Sequence, residues 1–307
     1  MPAEVIAALA PRAGGLYVDG TLGAGGHAEA VLQASAPDGR LLGLDRDPEA
    51  LRTATRRLAR FGDRVRLVQA SFDRLGRELR AWDAPAAHGI LLDLGVSSMQ
   101  LDRAGRGFSF RADGPLDMRM SVSGPSAAEL VATAGRAELR RIFREYGEEP
   151  LADRVARAIV EARRKRPLRT TAQLAEVVQA AMPAAERRRR RRHPATKVFM
   201  ALRLAVNDEL GRLRRFLDSV VSWLRPGGAL VVISYHSLED RLVKQWIRTM
   251  ADPCVCPPEM AVCGCGRRPQ VEPLGRGVRK PSPSEVAANP RARSARLRAA
   301  RRLGEAS

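Results

Sequence analysis

The feature that most constrains this chain is a short apolar strand that runs straight into a glycine-rich turn. Leu16-Tyr17-Val18-Asp19 is followed by Gly20-Thr21-Leu22-Gly23-Ala24-Gly25-Gly26. Glycine lets a backbone turn sharply and approach a ligand closely, and a helix is predicted over residues 27–34. Further buried strands are predicted over 41–44, ending at Asp45, over 65–68 and over 89–94. Pro48 opens the helix after the second strand, where its missing N–H costs little. Strands alternating with helices at this spacing build βαβ units and a largely parallel sheet, so the fold class is α/β.

The alternation stops near Met99, and short helices are predicted up to His193. Ser126 with Glu129 and Thr170 with Gln173 have the spacing of capping boxes. Leu139, Ile142, Phe143 and Tyr146 keep helical spacing, as do Leu151, Val155 and Ile159. One long amphipathic helix is predicted next, with Phe199, Leu202, Val206, Leu210, Leu213, Leu217 and Val221 on one face. Arg225-Pro226-Gly227-Gly228 ends it, and residues 230–234 return as a fifth buried strand. Residues 252–290 read as irregular, and 294–301 as either an edge strand or a basic helix. The expected organisation is a discontinuous domain, 1–98 with 197–307, interrupted by a helical insertion over 99–196.

A glycine-rich turn after the first strand and a carboxylate ending the second are what a nucleoside-bearing cofactor requires. Asp45 stands where it can accept from ribose hydroxyls. The spacing Gly20-x-x-Gly23-x-Gly25-Gly26 is not the Gly-x-Gly-x-x-Gly of dinucleotide binders. It favours S-adenosylmethionine, which has no pyrophosphate to seat, over NAD(P) and an oxidoreductase. Phe72, after the third strand, is either a core residue or a face for adenine. Asp93 ends the fourth strand at the point where open α/β sheets place ligands, and either caps a turn or orients a bound group.

Lys+Arg number 53 against 34 Asp+Glu, a formal charge of +19, which favours a polyanionic partner. Two arginine-rich clusters stand out: residues 187–192, and Arg291, Arg293, Arg296, Arg298, Arg301 and Arg302. The first reads as phosphate contacts or as a solvated loop, and the second strengthens the RNA reading, because one run would be dismissible and two are less so. Aromatics are only 4%, which suits contacts to structured RNA better than a stacking platform for single strands. DNA is not expected as a partner. No apolar run approaches the ~20 residues of a membrane span and no secretory signal is read, so a cytoplasmic location is expected. Cys254, Cys256, Cys263 and Cys265 form two Cys-x-Cys pairs. Free thiols are favoured over a zinc site, because Cys-x-x-Cys is the more typical ligand spacing, and no metal is expected.

Longer strings are more specific. They include Val18-Asp19-Gly20-Thr21-Leu22-Gly23-Ala24-Gly25-Gly26-His27, Leu44-Asp45-Arg46-Asp47-Pro48 and Leu91-Leu92-Asp93-Leu94-Gly95-Val96-Ser97-Ser98. Arg106-Gly107-Phe108-Ser109-Phe110, His193-Pro194-Ala195-Thr196, Ser234-Tyr235-His236-Ser237-Leu238-Glu239-Asp240-Arg241 and Asn289-Pro290-Arg291-Ala292-Arg293-Ser294 follow in order. The chain resembles, from Glu4 to about Arg298, the bacterial ribosomal RNA small-subunit methyltransferase H family (RsmH, also called MraW). The resemblance implies a class I, Rossmann-like methyltransferase sheet with an inserted helical subdomain that helps hold RNA. It implies methylation of a cytosine N4 in the decoding region of 16S ribosomal RNA, near the P site, with S-adenosylmethionine as cofactor and the small ribosomal subunit as partner. It carries cofactor contacts onto Gly25, Gly26, His27, Asp45, Phe72, Asp93 and Gln100. The family usually opens with a His-x-Pro-Val-Leu segment upstream of the position of Glu4. That segment is absent here, which is read as a start placed too far downstream or a chain that dispenses with it.

Methyl transfer from a sulfonium is an in-line displacement, governed by alignment and exclusion of water. The cytosine N4 lone pair is delocalised into the ring, so an acceptor for its N–H helps the nitrogen attack. Asp93 is the first candidate acceptor and His236, after the fifth strand, the second. Each has a plainer reading, since Asp93 could serve the cofactor alone and His236 only local hydrogen bonds. His27 could likewise matter only through its backbone. The alternative function is a non-catalytic ribosome-assembly factor that keeps the fold and the basic surface.

Overall fold

The computed structural model describes residues 1–121, 123–190, 193–257, 259–260 and 262–304. Among them the strands are β1 (Leu16–Asp19), β2 (Arg40–Asp45), β3 (Val65–Gln69), β4 (Ala87–Asp93), β5 (Leu224–Ser234), β6 (Val271–Pro273) and β7 (Arg296–Arg302). They form one sheet in the order β3-β2-β1-β4-β5-β7-β6. The pairs from β3 to β5 are parallel, whereas β7 runs antiparallel to both β5 and β6. The helices before residue 96 are α1 (Pro2–Leu9), α2 (Gly26–Ala34), α3 (Pro48–Leu58) and α4 (Leu75–Arg80). Those that follow are α5 (Ser98–Asp102), α6 (Ala127–Thr133), α7 (Arg136–Glu145), α8 (Ala152–Lys165), α9 (Thr171–Ala181), α10 (Ala184–Arg189) and α11 (Ala195–Asn207). Then come α12 (Glu209–Ser219), α13 (Ser237–Ala251) and α14 (Pro283–Ala288). The chain divides into two compact units, Met1–Gly95 with Gly211–Ser307, and Val96–Leu210.

In the first unit the period-2 alternation of strand side chains sorts the sheet into two cores. Leu16 and Val18 of β1, Leu42 and Leu44 of β2, Ile90 and Leu92 of β4, and Leu230 and Val232 of β5 share one face. Phe216 of α12, together with Val243 and Trp246 of α13, covers it. Tyr17, Leu41, Leu91, Val231 and Ile233 face the other way, against Val5 and Leu9 of α1, Leu32 of α2 and Leu58 of α3. Strands buried on both faces read as continuous apolar runs, which is why β1, β2 and β4 stand out in the sequence.

The sheet departs from expectation at its far edge. Residues 296–302 are neither an edge strand nor a helix: β7 is an inner strand, and the short β6 forms the edge. The segment read as irregular therefore contains β6 and α14. Strand β5 also starts earlier than expected, at Leu224. The Pro226-Gly227-Gly228 turn is absorbed as a register shift, with Ala87 opposite Leu224 and Gly89 opposite Ala229. Much of the second arginine cluster has structural partners. Arg298 donates to Asp240 at 2.6 and 3.2 Å and Arg296 at 3.1 Å, while Arg301 lies 3.1 Å from Glu272. Burial alone would raise the Asp240 carboxyl, but these guanidinium groups hold it below the usual range.

The second unit is helical and has its own core, in which Leu139, Ile142, Phe143, Val155, Ile159, Leu174, Val178, Val198 and Leu202 are buried. Both predicted capping boxes form, Ser126 with Glu129 and Thr170 with Gln173. The single long helix does not. Asp208 takes a left-handed φ of 49° and separates α11 from α12. The buried Asn207 side chain donates to Met118 O and accepts from Met120 N–H, both at 2.8 Å, which pins the end of α11. Apolar spacing continues across the break because each half buries its own stripe.

The first arginine cluster is not uniformly solvated either. Arg187, Arg188 and Arg189 are exposed at the end of α10, and Arg191 and Arg192 lie outside the described residues. Arg190 instead grips the buried Glu149 with two 2.7 Å hydrogen bonds. Burial would raise the Glu149 carboxyl, yet Arg190 more than offsets it and holds it below the usual range. Removing one partner of such a pair strands a buried charge, at a cost of about 3–5 kcal/mol. Arg190→Ala is therefore expected to destabilise this unit by that order in denaturant titration, against well under 1 kcal/mol for the exposed Arg188→Ala. Equal effects of the two substitutions would contradict this assignment.

Candidate active site

Strand β1 pairs with β2 on one side and β4 on the other, so the order of the sheet reverses there and opens a crevice at the carboxyl ends of the strands. The glycine-rich turn enters it. Gly20 N–H donates to Leu91 O at 2.9 Å. A Cβ at Gly20 would stand 2.5 Å from Leu92 Cδ2 and 3.0 Å from Phe72 Cβ. Gly25 sits at φ 80°, as the left-handed cap that lets α2 begin at Gly26, a conformation that glycine adopts without steric cost.

Asp45 ends β2 and organises this turn. One carboxylate oxygen accepts from Gly23 N–H at 2.8 Å and the other from Asp47 N–H at 2.8 Å. Burial raises its pKa despite those bonds. Each carboxylate oxygen has two lone pairs, so Asp45 keeps acceptor capacity toward a ligand hydroxyl. Phe72 is half-buried and meets Phe216 edge-on, with ring centroids 5.6 Å apart. It is part of the core and still partly accessible.

Asp93 is the hub. Its backbone N–H donates to the Thr21 hydroxyl at 2.6 Å, and its carboxylate accepts from the Tyr235 hydroxyl at 3.1 Å. His27 Nε2 stands 3.5 Å from the second oxygen. The Asp93 side chain retains 28% of its exposure, so it can still meet a ligand. Burial alone would lower the His27 pKa, but the hydrogen bond and charge of Asp93 outweigh it and the net shift is upward. His27 Nδ1 is buried without a hydrogen-bond partner, as a group awaiting a bound molecule would be.

The structure thus joins His27 to Asp93, Asp45 to the glycine turn, and Phe72 to Gly20. His236 caps α13 from the neighbouring strand end. Its Nε2 lies 3.1 Å from Glu239 Oε1, yet neither ring nitrogen is in hydrogen-bond geometry. The side chain that reaches Asp93 is its neighbour Tyr235. Gln100 belongs to the other unit, where it completes a capping box with Ser97 at the start of α5. Sequence reasoning did not single out Asp19, Thr21 or Tyr235. Only their places within the longer strings hinted at them, since a partner across the sheet leaves no local spacing signal.

Asp19, at the end of β1, is 2% exposed and accepts from Thr21 N–H at 3.1 Å. Burial pushes its carboxyl up to about 7; His27 opposes the rise, and the charges of Asp93 and Asp45 add to it. Between the ordinary value and about 7 the native chain holds a proton that the unfolded chain has lost, so this group weakens the fold as pH rises. His27 acts in the same direction, because stabilisation from a raised histidine is lost above its native pKa. The thermal midpoint of the ligand-free chain is expected to fall from about pH 5 to about pH 8, with up to roughly 1.4 kcal/mol lost per pH step of one for each such proton. Asp19→Asn should remove much of that decline in a pH series of melts; an unchanged slope would show that Asp19 is not its source.

A twisted sheet of this order with β7 antiparallel, a glycine-rich turn after β1 and carboxylates ending β2 and β4 define a class I, Rossmann-like methyltransferase. The chain matches the MraW methylase family over residues 1–303 and belongs to it. A protein of Syntrophotalea carbinolica named ribosomal RNA small subunit methyltransferase H is 55% identical, covering 99% of this chain and 96% of its own. One of the same name from Symbiobacterium thermophilum is 52% identical over 98% of this chain and 94% of its own. Among solved structures, an rRNA methylase from Streptococcus thermophilus aligns over 99% of this chain and 92% of its own, at 10% identity and a TM-score of 0.43. Among the described residues no helix is long and apolar enough to cross a membrane.

Proposed function

We propose that the chain methylates the exocyclic N4 of a cytidine in the decoding, P-site region of small-subunit ribosomal RNA, with S-adenosylmethionine as cofactor. The observation that carries this reading is the Asp93 carboxylate, partly exposed at the carboxyl end of β4 and held from two sides by Tyr235 and His27. The relatives' shared name supports the RNA substrate. The site suits the cofactor, since a Cβ at Gly23 would meet nothing nearer than Thr21 O at 3.9 Å, and the buried His27 Nδ1 lacks a partner among the described residues.

S-adenosylmethionine supplies an electrophilic methyl group. The residues that would hold it are Gly25, Gly26 and His27 at the start of α2, Asp45 toward the ribose, Phe72 beside the adenine, and Asp93. Asp93 accepts a hydrogen bond from the cytosine amine, which localises the nitrogen lone pair for in-line attack, and its carboxylate takes the proton that the methylated amine then loses. Tyr235 fixes the rotamer of that carboxylate and His27 balances its charge. His236 is the second residue proposed to face the amine. The exposed Arg187, Arg188 and Arg189 of the helical unit are offered to phosphates. The small ribosomal subunit is the partner and the cytoplasm the place of action.

The test supplies small subunits lacking the modification and labelled cofactor, and maps the product nucleoside by mass spectrometry. N4-methylcytidine in the decoding region is expected. Asp93→Ala should slow its formation by about a hundredfold or more, the scale of a positioned proton acceptor. Tyr235→Phe should cost about tenfold, as one hydrogen bond does. Methyl groups on another nucleotide would overturn the substrate assignment. Bound cofactor with no transfer would favour a ribosome-assembly factor without catalysis.

A further inference from the structure

A cluster the proposed reaction does not use lies beyond the far end of α13. Residues 252–270 contain no helix or strand among those described, and the segment turns its larger apolar side chains outward: Val255, Met260 and Val262 are 62%, 50% and 79% exposed. A loop that buries so little has no core with which to order itself. Yet the Sγ atoms of Cys254, Cys256, Cys263 and Cys265 all lie within 4.8 Å of one another. Apolar packing does not account for that convergence.

The distances have a more specific meaning. Sulfurs held about 2.3 Å from a common tetrahedral centre are about 3.8 Å apart along each edge. Here Cys254 and Cys263 are separated by 3.6 Å, Cys256 and Cys263 by 3.8 Å, Cys263 and Cys265 by 3.4 Å, and Cys265 and Cys254 by 3.9 Å. The four cysteines are unbridged. The backbone N–H groups of Val255 and Arg267 bond to the Cys265 sulfur, and that of Cys256 to the Cys254 sulfur, so the loop backbone wraps the cluster. Arg267 and Arg268 follow Cys265 after a single glycine and provide positive charge beside a tetrathiolate site, whose net charge with a divalent ion is negative.

We infer that Cys254, Cys256, Cys263 and Cys265 form a structural zinc site that folds the loop between α13 and β6. Four thiolates fill a tetrahedral ion's positions and leave none open for substrate, so the metal is structural and not catalytic. All-sulfur tetrahedral sites select zinc or iron; a single mononuclear zinc is the assignment made here. The sequence spacing alone disfavoured a metal, and the spatial convergence of the two Cys-x-Cys pairs reverses that reading. The 15 residues of α13 put the cluster roughly 22 Å along the helix from the Asp93 crevice, so the assignment stands independently of the methyl-transfer reading.

The full-length chain, purified without chelators or metal-affinity resin from zinc-supplemented cells, is assayed by elemental mass spectrometry. One zinc per chain is expected, with four thiols that resist a thiol reagent until a chelator strips the metal. Exchange for cobalt should give the visible spectrum of a tetrahedral tetrathiolate. Cys254→Ser with Cys265→Ser should lose the zinc. Because the wild-type metal content and thiol protection are read without any variant, a misfolded mutant cannot decide the outcome. Absence of stoichiometric zinc together with four freely reactive thiols would overturn the inference, and so would stoichiometric iron in its place.

Discussion

The structure depends on the junction of β1 with β4. Gly20 donates to Leu91 across it, the Thr21 hydroxyl accepts the Asp93 N–H, and a side chain at position 20 would collide with Leu92 and Phe72. Because strand order reverses at β1, the turn after it lies at the carboxyl ends of the strands, where Thr21 meets Asp93. Everything assigned to the site hangs from those few backbone bonds. Asp45 keeps the far side of the turn in place, and Asp93 presents its carboxylate to the near side.

The same junction concentrates charge that water would otherwise screen. Asp19, Asp45 and Asp93 converge on one turn with His27 facing them, its pKa raised by Asp93, and burial drives the Asp19 carboxyl up to about 7. A buried acid that binds a proton near neutrality is costly in the ligand-free chain. It is the kind of local conflict that folds retain where a ligand or a reaction makes use of it. Tyr235 contributes its hydroxyl to Asp93, and its own pKa is raised by burial and by that carboxylate, so it stays a protonated donor.

Much of the fold was legible in the sequence because β1, β2 and β4 are buried on both faces and leave unbroken apolar runs. The two capping boxes were legible because their signal is local. Features that depend on distant partners were not. The break at Asp208 follows from Asn207 reaching back to Met118 and Met120, and nothing in the apolar spacing records it. Arg296 and Arg298 read as part of a basic cluster, and nothing local records that both donate to Asp240, more than fifty residues away. Asp45 and Asp93 were read as strand ends, and β2 and β4 end at those residues. The bond from Tyr235 to Asp93 left no such signal, because sequence gives the strand end and not the direction of its side chains.

The most direct test of this account is calorimetric titration of the purified chain with S-adenosylmethionine, alongside Asp45→Ala. The account predicts one site per chain in the wild type and at least a tenfold weaker one in the variant, the equivalent of about 1.4 kcal/mol. Cofactor binding that is indifferent to Asp45 would contradict the placement of the site at the β1–β2–β4 crevice.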